Sequence, residues 1–149
     1  MPRNFGARVF QFCSRTSRKS NFFQCSATSR FIFPLRGSQS GTGKPSGPRG
    51  LKTAFQARET SRYADPSGII QHAVVHIGDS AIELGEAHGE YQPMPIGLHL
   101  FVHDVDHVYE RALRAGAKSD FAPSDAPYGQ RVGGVIEQDG NRWFIATLL

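Results

Sequence analysis

Three of the six histidines in this sequence recur at four-residue spacing, and imidazole is the commonest protein ligand for metal ions. His99, His103 and His107 would share one face if they stood on a single helix. The first two, however, stand in a predicted strand and at its end, and the third stands at the start of a predicted helix. Helical spacing does not hold across that junction, so we expect His103 and His107 to be solvated.

Two further residue sets fail as catalytic motifs. Both cysteines, Cys13 and Cys25, precede residue 51, so the rest of the chain has no thiolate nucleophile and no disulfide, which fits a reducing compartment. Residues 41–44 read Gly-Thr-Gly-Lys, but Ser38 stands where a phosphate loop needs its first glycine, and Pro45 where it needs serine or threonine. Neither a cysteine nucleophile nor a phosphate loop is therefore predicted.

Charge divides the chain into two unlike parts. Residues 1–64 hold twelve Lys and Arg against one acid, Glu59, whereas residues 65–149 hold five against twelve acids. The formal net charge of +4 is thus the sum of a basic segment and an acidic one. It indicates no anionic partner for a pocket in the acidic part.

The basic part begins with a segment that lacks the composition of a folded domain. Residues 1–50 contain no Asp or Glu, and residues 37–50 are dominated by Gly, Ser and Pro. Because such a composition buries too little apolar surface to offset the entropy of ordering, we expect a basic disordered arm and linker ahead of a domain at residues 51–149. The arm could be an organellar transit peptide, an extension without selected structure, or a contact for nucleic acid. The last is the least expected, because no binding module accompanies it.

Length and hydropathy restrict the class of protein further. At 149 residues the chain has room for one core. Its mean hydropathy is −0.36, and its apolar runs are far shorter than the roughly 20 residues that cross a bilayer, so we predict no transmembrane span and no membrane partner. We expect a cytoplasmic protein, with import into mitochondria or another organelle through the basic amino terminus as the alternative.

From residue 51 onward the hydrophobic pattern switches between strand and helix signals. Asp104 can cap a helix whose apolar residues recur at helical spacing until Gly116 ends it. Turn compositions at residues 125–127 and 139–141 separate the strands that follow. The predicted strands are residues 57–63, 69–77, 81–84, 96–103, 117–122, 131–137 and 142–148.

Four blocks of this region are specific enough to compare with known families: residues 70–80, 103–117, 127–131 and 139–147. The second block reads His-Asp-Val-Asp-His-Val-Tyr-Glu-Arg-Ala-Leu-Arg-Ala-Gly-Ala, and the fourth begins Asp-Gly-Asn-Arg-Trp-Phe. Together they resemble the vicinal oxygen chelate superfamily, the group of glyoxalases, bleomycin-resistance proteins and extradiol dioxygenases. The resemblance covers about residues 51–149 and is nearest to the PhnB-like, glyoxalase-related branch.

The resemblance implies an α+β fold built from paired modules, each with a strand, a helix and three strands, that curl around a cup-shaped pocket. The second module is complete from about residue 96 to 149. The first is truncated, because its opening strand and most of its helix have no counterpart in the Ser- and Gly-rich sequence upstream. A missing strand leaves a sheet edge unpaired, so we expect the arm or a second copy, as a homodimer, to cover it. Residues 8–12 and 30–33 are the segments of the arm with a suitable pattern.

Metal-dependent members of this superfamily typically hold a divalent ion with a His and a Glu from each module. In this sequence the first-module Glu matches Glu83, while the first-module His falls in the missing strand. The second-module His falls at Gly97 and the second-module Glu at Phe144. One carboxylate alone holds a divalent cation weakly.

A relocated metal site is one hypothesis. His99 shares a strand face with Gly97, and His72 is on a first-module strand that could also face the cup. With Glu83 they would form a two-His, one-carboxylate set suited to Zn, Ni, Fe or Mn. The alternative is that His72 and His99 are hydrogen-bonded pocket or sheet residues.

Tyr128, Arg131 and Trp143 are the strongest ligand-binding candidates apart from a metal. The Pro-Tyr-Gly-x-Arg segment resembles the family's loop near the mouth of the cup, where a hydroxyl and a guanidinium could hold an oxygen-rich or anionic ligand. The alternatives are Tyr128 as a loop anchor, Arg131 paired with a surface carboxylate such as Asp125, and Trp143 as a core residue.

Three functions follow from the resemblance. In the first, the protein binds a small polar molecule in its cup and performs metal-assisted lyase, isomerase or dioxygenase chemistry, with Glu83 moving a proton. In the second, it sequesters a drug or metabolite without a metal, which the changes at Gly97 and Phe144 favour. In the third, it is an inactive, degenerate member.

Overall fold

The computed structural model describes residues 8–12 and 32–35 through their strand pairing, and residues 47–90 and 94–149 in full apart from the side chain of residue 47. These ranges contain nine strands and two helices. In chain order they are β1 (Arg8–Phe12), β2 (Ile32–Leu35), α1 (Gly47–Phe55), β3 (Arg58–Ala64), β4 (Ile70–Ile77), β5 (Ser80–Glu86), β6 (Gly97–Phe101), α2 (Val105–Arg114), β7 (Lys118–Ala126), β8 (Gln130–Ile136) and β9 (Arg142–Leu148).

The second module is the predicted strand, helix and three strands. Its sheet has the order β1-β6-β9-β8-β7, in which β6 runs parallel to β9 and the remaining pairs are antiparallel. The Asp104 side chain caps α2 by accepting a hydrogen bond from the backbone N–H of His107 at 2.9 Å, as the sequence predicts. The buried residues of α2 lie on one stripe, which packs against β7, β8 and β9.

The first module repeats this topology in shortened form. Its sheet has the order β2-β5-β4-β3, with β2 parallel to β5 just as β6 is parallel to β9. The truncation is confirmed in length, since β2 has four residues and α1 has nine. The opening strand is nevertheless present as β2, which overlaps residues 30–33, one of the two arm segments with a suitable pattern. The paired-module α+β fold is therefore confirmed.

Both strands from the basic arm pair with sheet edges. Val9 of β1 lies opposite Leu100 in antiparallel register, and Ile32 of β2 lies opposite Glu83 in parallel register. Helix α1 begins at Gly47, so the expected domain boundary at residue 51 falls inside a helix. The rest of the arm, with both cysteines and residues 37–46 of the expected linker, lies outside the described residues.

The core joins the two helices to the helix-covered faces of both sheets. Phe55 of α1 packs its ring on Trp143 of β9 with centroids 4.5 Å apart, and Arg111 of α2 donates from Nε to the carbonyl of Ala54 at 2.8 Å. Burial on this scale supplies the main stabilising term for a small fold. Neither helix in the described part of the chain is long and apolar enough to span a membrane.

Candidate functional site

The alternation of β6 separates a buried face from an open one. Leu98 and Leu100 are buried in the core, so Gly97, His99 and Phe101 project from the opposite side of the strand, where they are half-buried. We call the side of each sheet that faces away from the core its open face. In the second module this face holds the positions that the family resemblance assigns to metal ligands.

Four aromatic side chains meet on the open face of the second module, and we call them the aromatic row. The centroid of His99 lies 5.0 Å from that of Phe101 and 5.9 Å from that of Phe144. Phe144 in turn lies 6.2 Å from Phe121 on the edge strand β7. These separations are those of interacting aromatic pairs, and the rings present a continuous apolar surface across β6, β9 and β7.

Gly134 makes room for the last ring of the row. It is the cross-strand partner of Phe121, and a Cβ added at this glycine would collide with the phenyl ring. Phe144 is the other cross-strand neighbour of Gly134. The glycine on β8 therefore allows Phe121 to lie across the sheet and reach Phe144.

His99 is the polar member of the aromatic row. Burial among its neighbours lowers the pKa of its imidazole below the ordinary value of 6.5, because the charged form is poorly solvated there. The ring is therefore neutral at pH 7. It combines a flat apolar face with a nitrogen that can donate or accept one hydrogen bond.

The open face of the first module holds the second predicted group. Ile82 and Leu84 of β5 are buried, so Glu83 between them projects to the other side. His72 Nε2 lies 3.4 Å from Glu83 Oε2, with side-chain exposures of 48% for the histidine and 18% for the glutamate. The structure thus brings two of the three predicted metal ligands together as a carboxylate–imidazole pair.

The third predicted ligand is not joined to this pair. Among the described residues, no group of three or more His, Cys, Asp or Glu side chains is placed to hold a metal ion. His99 contacts Phe101 and Phe144 instead. Two donors do not make the three- or four-ligand site that tight divalent binding requires, so the described residues do not fit a bound metal.

Arg131 lies on the covered side of its sheet. Its Nε and Nη2 donate to the two carboxylate oxygens of Asp106 on α2, both at 2.7 Å, and its Nη1 donates to Asp125 at 2.9 Å. These hydrogen bonds hold the pKa of Asp106 below its usual range. The predicted alternative of pairing with Asp125 is therefore observed, and the guanidinium fork is occupied by protein carboxylates.

The two other ligand-binding candidates are also separated from the aromatic row. Trp143 is 2% exposed and packs in the core against Phe55, in agreement with its alternative role. Tyr128 is 68% exposed in the turn between β7 and β8. Tyr128, Arg131 and Trp143 do not converge on one pocket.

Sequence reasoning missed the aromatic members of the site. The family resemblance marks Phe144 only as the position of a lost carboxylate, and no sequence motif marks Phe101 or Phe121. Strand alternation could have indicated Phe101 and Phe144, because each is directly next to buried residues of β6 or β9 and therefore projects to the opposite face. Phe121 could not be found in this way, since the register shifts of β7 disturb its alternation.

This arrangement of two repeated modules agrees with comparisons of the sequence. Residues 50–145 match the family model of the Glyoxalase/Bleomycin resistance protein/Dioxygenase superfamily. The chain belongs to this superfamily, which confirms the family expected from its sequence blocks. The nearer placement in the PhnB-like branch stays a prediction.

Two relatives match this chain over about 100 residues, which is only part of their own length. The uncharacterized protein Mb0911c of Mycobacterium bovis is 33% identical over 101 residues, which cover 60% of this chain and 66% of that protein. The uncharacterized protein Rv0887c of Mycobacterium tuberculosis is also 33% identical over 101 residues and is covered to 59%. The chain therefore spans somewhat less than two thirds of the length of these relatives.

Solved structures of the superfamily show the same fold. A superfamily member from Sphaerobacter thermophilus superposes with a TM-score of 0.63 at 14% identity, covering 84% of this chain and 99% of that one. The fosfomycin resistance protein FosX of Mesorhizobium loti superposes with a TM-score of 0.55 at 18% identity, covering 86% and 95%. At these identities the likeness concerns the fold alone.

Proposed function

We propose that this protein binds a small molecule with an aromatic ring on the open face of its second module, without a metal ion. The observation that carries the proposal is the aromatic row, in which Phe144 occupies a position where the superfamily places a metal ligand. Phe144 stands in place of a carboxylate, and His99 is a neutral ring between two phenyl groups. Stacking, and one hydrogen bond from imidazole, are the interactions that such a surface offers.

The row favours an aromatic ligand over the small polar one expected from the sequence. Arg131, the predicted anion-binding group, is held by Asp106 and Asp125 on the other side of the sheet. Phe121 is 37% exposed and the other rings are half-buried, so apolar surface remains available for a ligand to cover. A resistance-type role fits this chemistry, and a neighbour in fold is a resistance protein by name.

The direct test is titration of the full chain with N-phenyl-1-naphthylamine, an uncharged aromatic probe whose fluorescence rises in apolar surroundings. We expect binding that the Phe144→Leu variant weakens about fivefold, because Leu keeps most of the apolar volume but cannot stack. Tyr63→Ala, which removes an exposed aromatic ring on the other sheet, is the matched control. Equal affinity for the parent and Phe144→Leu would rule out the aromatic row as the site.

A second candidate function is proton transfer by Glu83, as in the metal-assisted members of the superfamily. The 3.4 Å contact between Glu83 and His72 favours it, since a carboxylate–imidazole pair on an open face can exchange a proton with a ligand. Calorimetric titration with Zn²⁺, Ni²⁺, Mn²⁺ and Fe²⁺ tests the metal-assisted form. Absence of heat for all four ions, or equal heat with Glu83→Gln, would exclude it.

We propose a cytoplasmic location, with organellar import as the alternative. The pairing of β1 and β2 with the two sheets supports retention of the arm in the working protein, whereas a transit peptide is removed after import. A fluorescent protein fused behind residues 1–50 tests the alternative. Diffuse cytosolic fluorescence is expected, and accumulation in an organelle would contradict it.

A further inference from the structure

A groove with an excess of positive charge lies between α1 and the start of β3. It has a volume of about 560 Å³ and is open to solvent. Gln56 turns the chain from helix to strand with a left-handed φ of 56°, and the backbone N–H of Ala57 bonds back to the carbonyl of Leu51 at 3.3 Å. This turn sets the two elements side by side, and their side chains form the walls. The lining residues are Pro48, Arg49, Lys52, Gln56, Ala57, Arg58 and Glu59.

Three cations of the groove have no ion-pair partner in the described part of the chain: Arg49, Lys52 and Arg58. All three are exposed. The acid of the groove, Glu59, is engaged elsewhere, since Arg62 donates from Nε and Nη2 to its two oxygens at 2.5 and 2.9 Å. That hydrogen bonding, together with the charges of Lys52 and Arg49, lowers the pKa of Glu59.

The chain supplies no counter-charge for these cations from its amino-terminal side. Residues 1–50, which precede and begin the groove, contain no Asp or Glu. Glu59 is the single acid of residues 1–64, and Arg62 already balances it. In the described part of the chain no acid of residues 65–149 pairs with them either, so the groove leaves its positive charge open to an anion from another molecule.

We propose that this groove binds a small phosphate-bearing molecule. Two guanidinium groups supply planar forks that match phosphate oxygens, and the ammonium of Lys52 adds a third donor group. The volume lies within the range of about 300 to 1,000 Å³ that is usual for small-molecule sites. The groove belongs to α1 and β3, so it is separate from the aromatic row on β6, β7 and β9.

The experiment is calorimetric titration of the full chain with pyrophosphate at low salt, about 0.05 M, where surface charge is weakly screened. The double variant Arg49→Gln, Lys52→Gln is expected to bind at least about tenfold more weakly, because each neutralised cation removes a charge-assisted hydrogen bond. Lys118→Gln, which removes an exposed cation from the other sheet, is the matched control and should bind like the parent. No heat with the parent, or equal affinity in all three proteins, would overturn the proposal.

Loss of folding cannot imitate this result. Arg49 stands in the first turn of α1, which contains no acidic residue, and a positive charge there opposes the helix dipole. Lys52 stands in the last turn, where a positive charge favours the dipole. The two substitutions of the double variant should therefore offset each other, and its melting temperature should stay close to that of the parent. A rise in melting temperature with pyrophosphate that occurs in the parent and not in the double variant gives a second readout of the same site.

A longer polyanion is the competing occupant, and a single-stranded 12-nucleotide DNA serves as the probe for it. A phosphate site for small molecules predicts affinity for the oligonucleotide within about tenfold of that for pyrophosphate. Affinity more than about a hundredfold tighter, lost in the same double variant, would replace our proposal with a nucleic-acid contact.

Discussion

The residue at position 144 decides what the open face of the second module can do. A carboxylate there would help to hold a cation, whereas Phe144 contacts the rings of His99 and Phe121. Phenylalanine at this position therefore provides a stacking surface where a carboxylate would provide a charged ligand. The backbone of β9 pairs with β6 and β8 in either case. The effect is local, because the helix-facing neighbours Trp143 and Ile145 stay buried in the core.

Gly134→Ala should disrupt the aromatic row, since the added methyl group would occupy the position of the Phe121 ring. We expect the free energy of unfolding in urea to fall by about 1 to 3 kcal/mol, the usual cost of an overpacked site. Affinity for N-phenyl-1-naphthylamine should fall with it. In a Phe121→Ala background the same substitution should cost little, and an equal cost in both backgrounds would contradict the proposed collision.

The imidazole of His99 should titrate below pH 6.5, because burial disfavours its charged form. Its folded-state pKa lies below the unfolded value, so the stability it contributes is present above pH 6.5 and is lost as pH falls. NMR titration of the imidazole signals, with His99→Gln to assign them, measures the shift. A His99 signal that titrates at or above 6.5 would show that the row leaves the ring solvated.

At the scale of elements, the turn between β8 and β9 is held by the half-buried carboxyl group of Glu137. Glu137 accepts hydrogen bonds from the backbone N–H of Asp139 at 2.9 Å and from the backbone and side chain of Asn141 at 3.1 and 2.6 Å. Asn141 Oδ1 in turn accepts from the backbone N–H of Ile96 at 3.2 Å. The turn therefore positions the start of β6, which carries His99 two residues beyond Gly97.

The titration of Glu137 should lower the free energy of unfolding as pH rises from about 4.5 to about 7. Burial, and next the charge of Asp139, raise the pKa of Glu137 from 4.5 to about 7. The folded state therefore holds a proton that the unfolded state has released in this range, and the loss amounts to at most about 3 kcal/mol. Urea unfolding at several pH values should show a flatter profile for Glu137→Gln. Parallel profiles for the two proteins would refute the assignment.

Local patterns predicted the elements of the second module well and their outward-facing residues poorly. Asp104 and the apolar stripe of α2 suffice to define that helix, because capping and periodicity are properties of neighbouring residues. Strand β7 instead continues to Ala126, past the turn predicted at residue 125, since an edge strand with register shifts tolerates Pro123.

The orientation of a side chain on a strand needs the register, which sequence reasoning did not have. Arg131 and Trp143 are correct in type for a ligand site, but cross-strand pairing puts Trp143 beside buried Val135 on the covered face. Arg131 lies four residues before Val135 and so shares that face. The pattern of residues 30–33 marks a possible strand in the arm, but it does not show that β2 pairs with β5, because that pairing joins segments distant in sequence.

At the scale of the whole molecule, the arm completes both sheets. Without β1 and β2, strands β6 and β5 would each present a row of unpaired backbone groups. An acid-free segment thus pairs with a region whose net charge is negative, and attraction between the two parts supports that pairing.

Deletion of residues 1–35 should lower the melting temperature by about 4 °C or more and promote association through the exposed edges. Deletion of residues 1–7, which end just before β1, is the matched control and should leave both properties unchanged. Differential scanning fluorimetry and light scattering after gel filtration measure the two effects. A protein without residues 1–35 that matches the full chain in melting temperature and in state of association would contradict a structural role for the arm.

The pairing of β1 with β6 also bears on the order in which the chain folds. Val9 meets Leu100, whereas β7, β8 and β9 join partners close to them in sequence. Contacts between distant residues carry a larger loop-closure cost and form late. During synthesis the arm leaves the ribosome before β6, and the strand that receives β1 follows only after the first module. Strand β1 therefore stays unpaired until β6 has been made. Because the arm contains no acidic residue, like charges repel between copies and oppose self-association during that time.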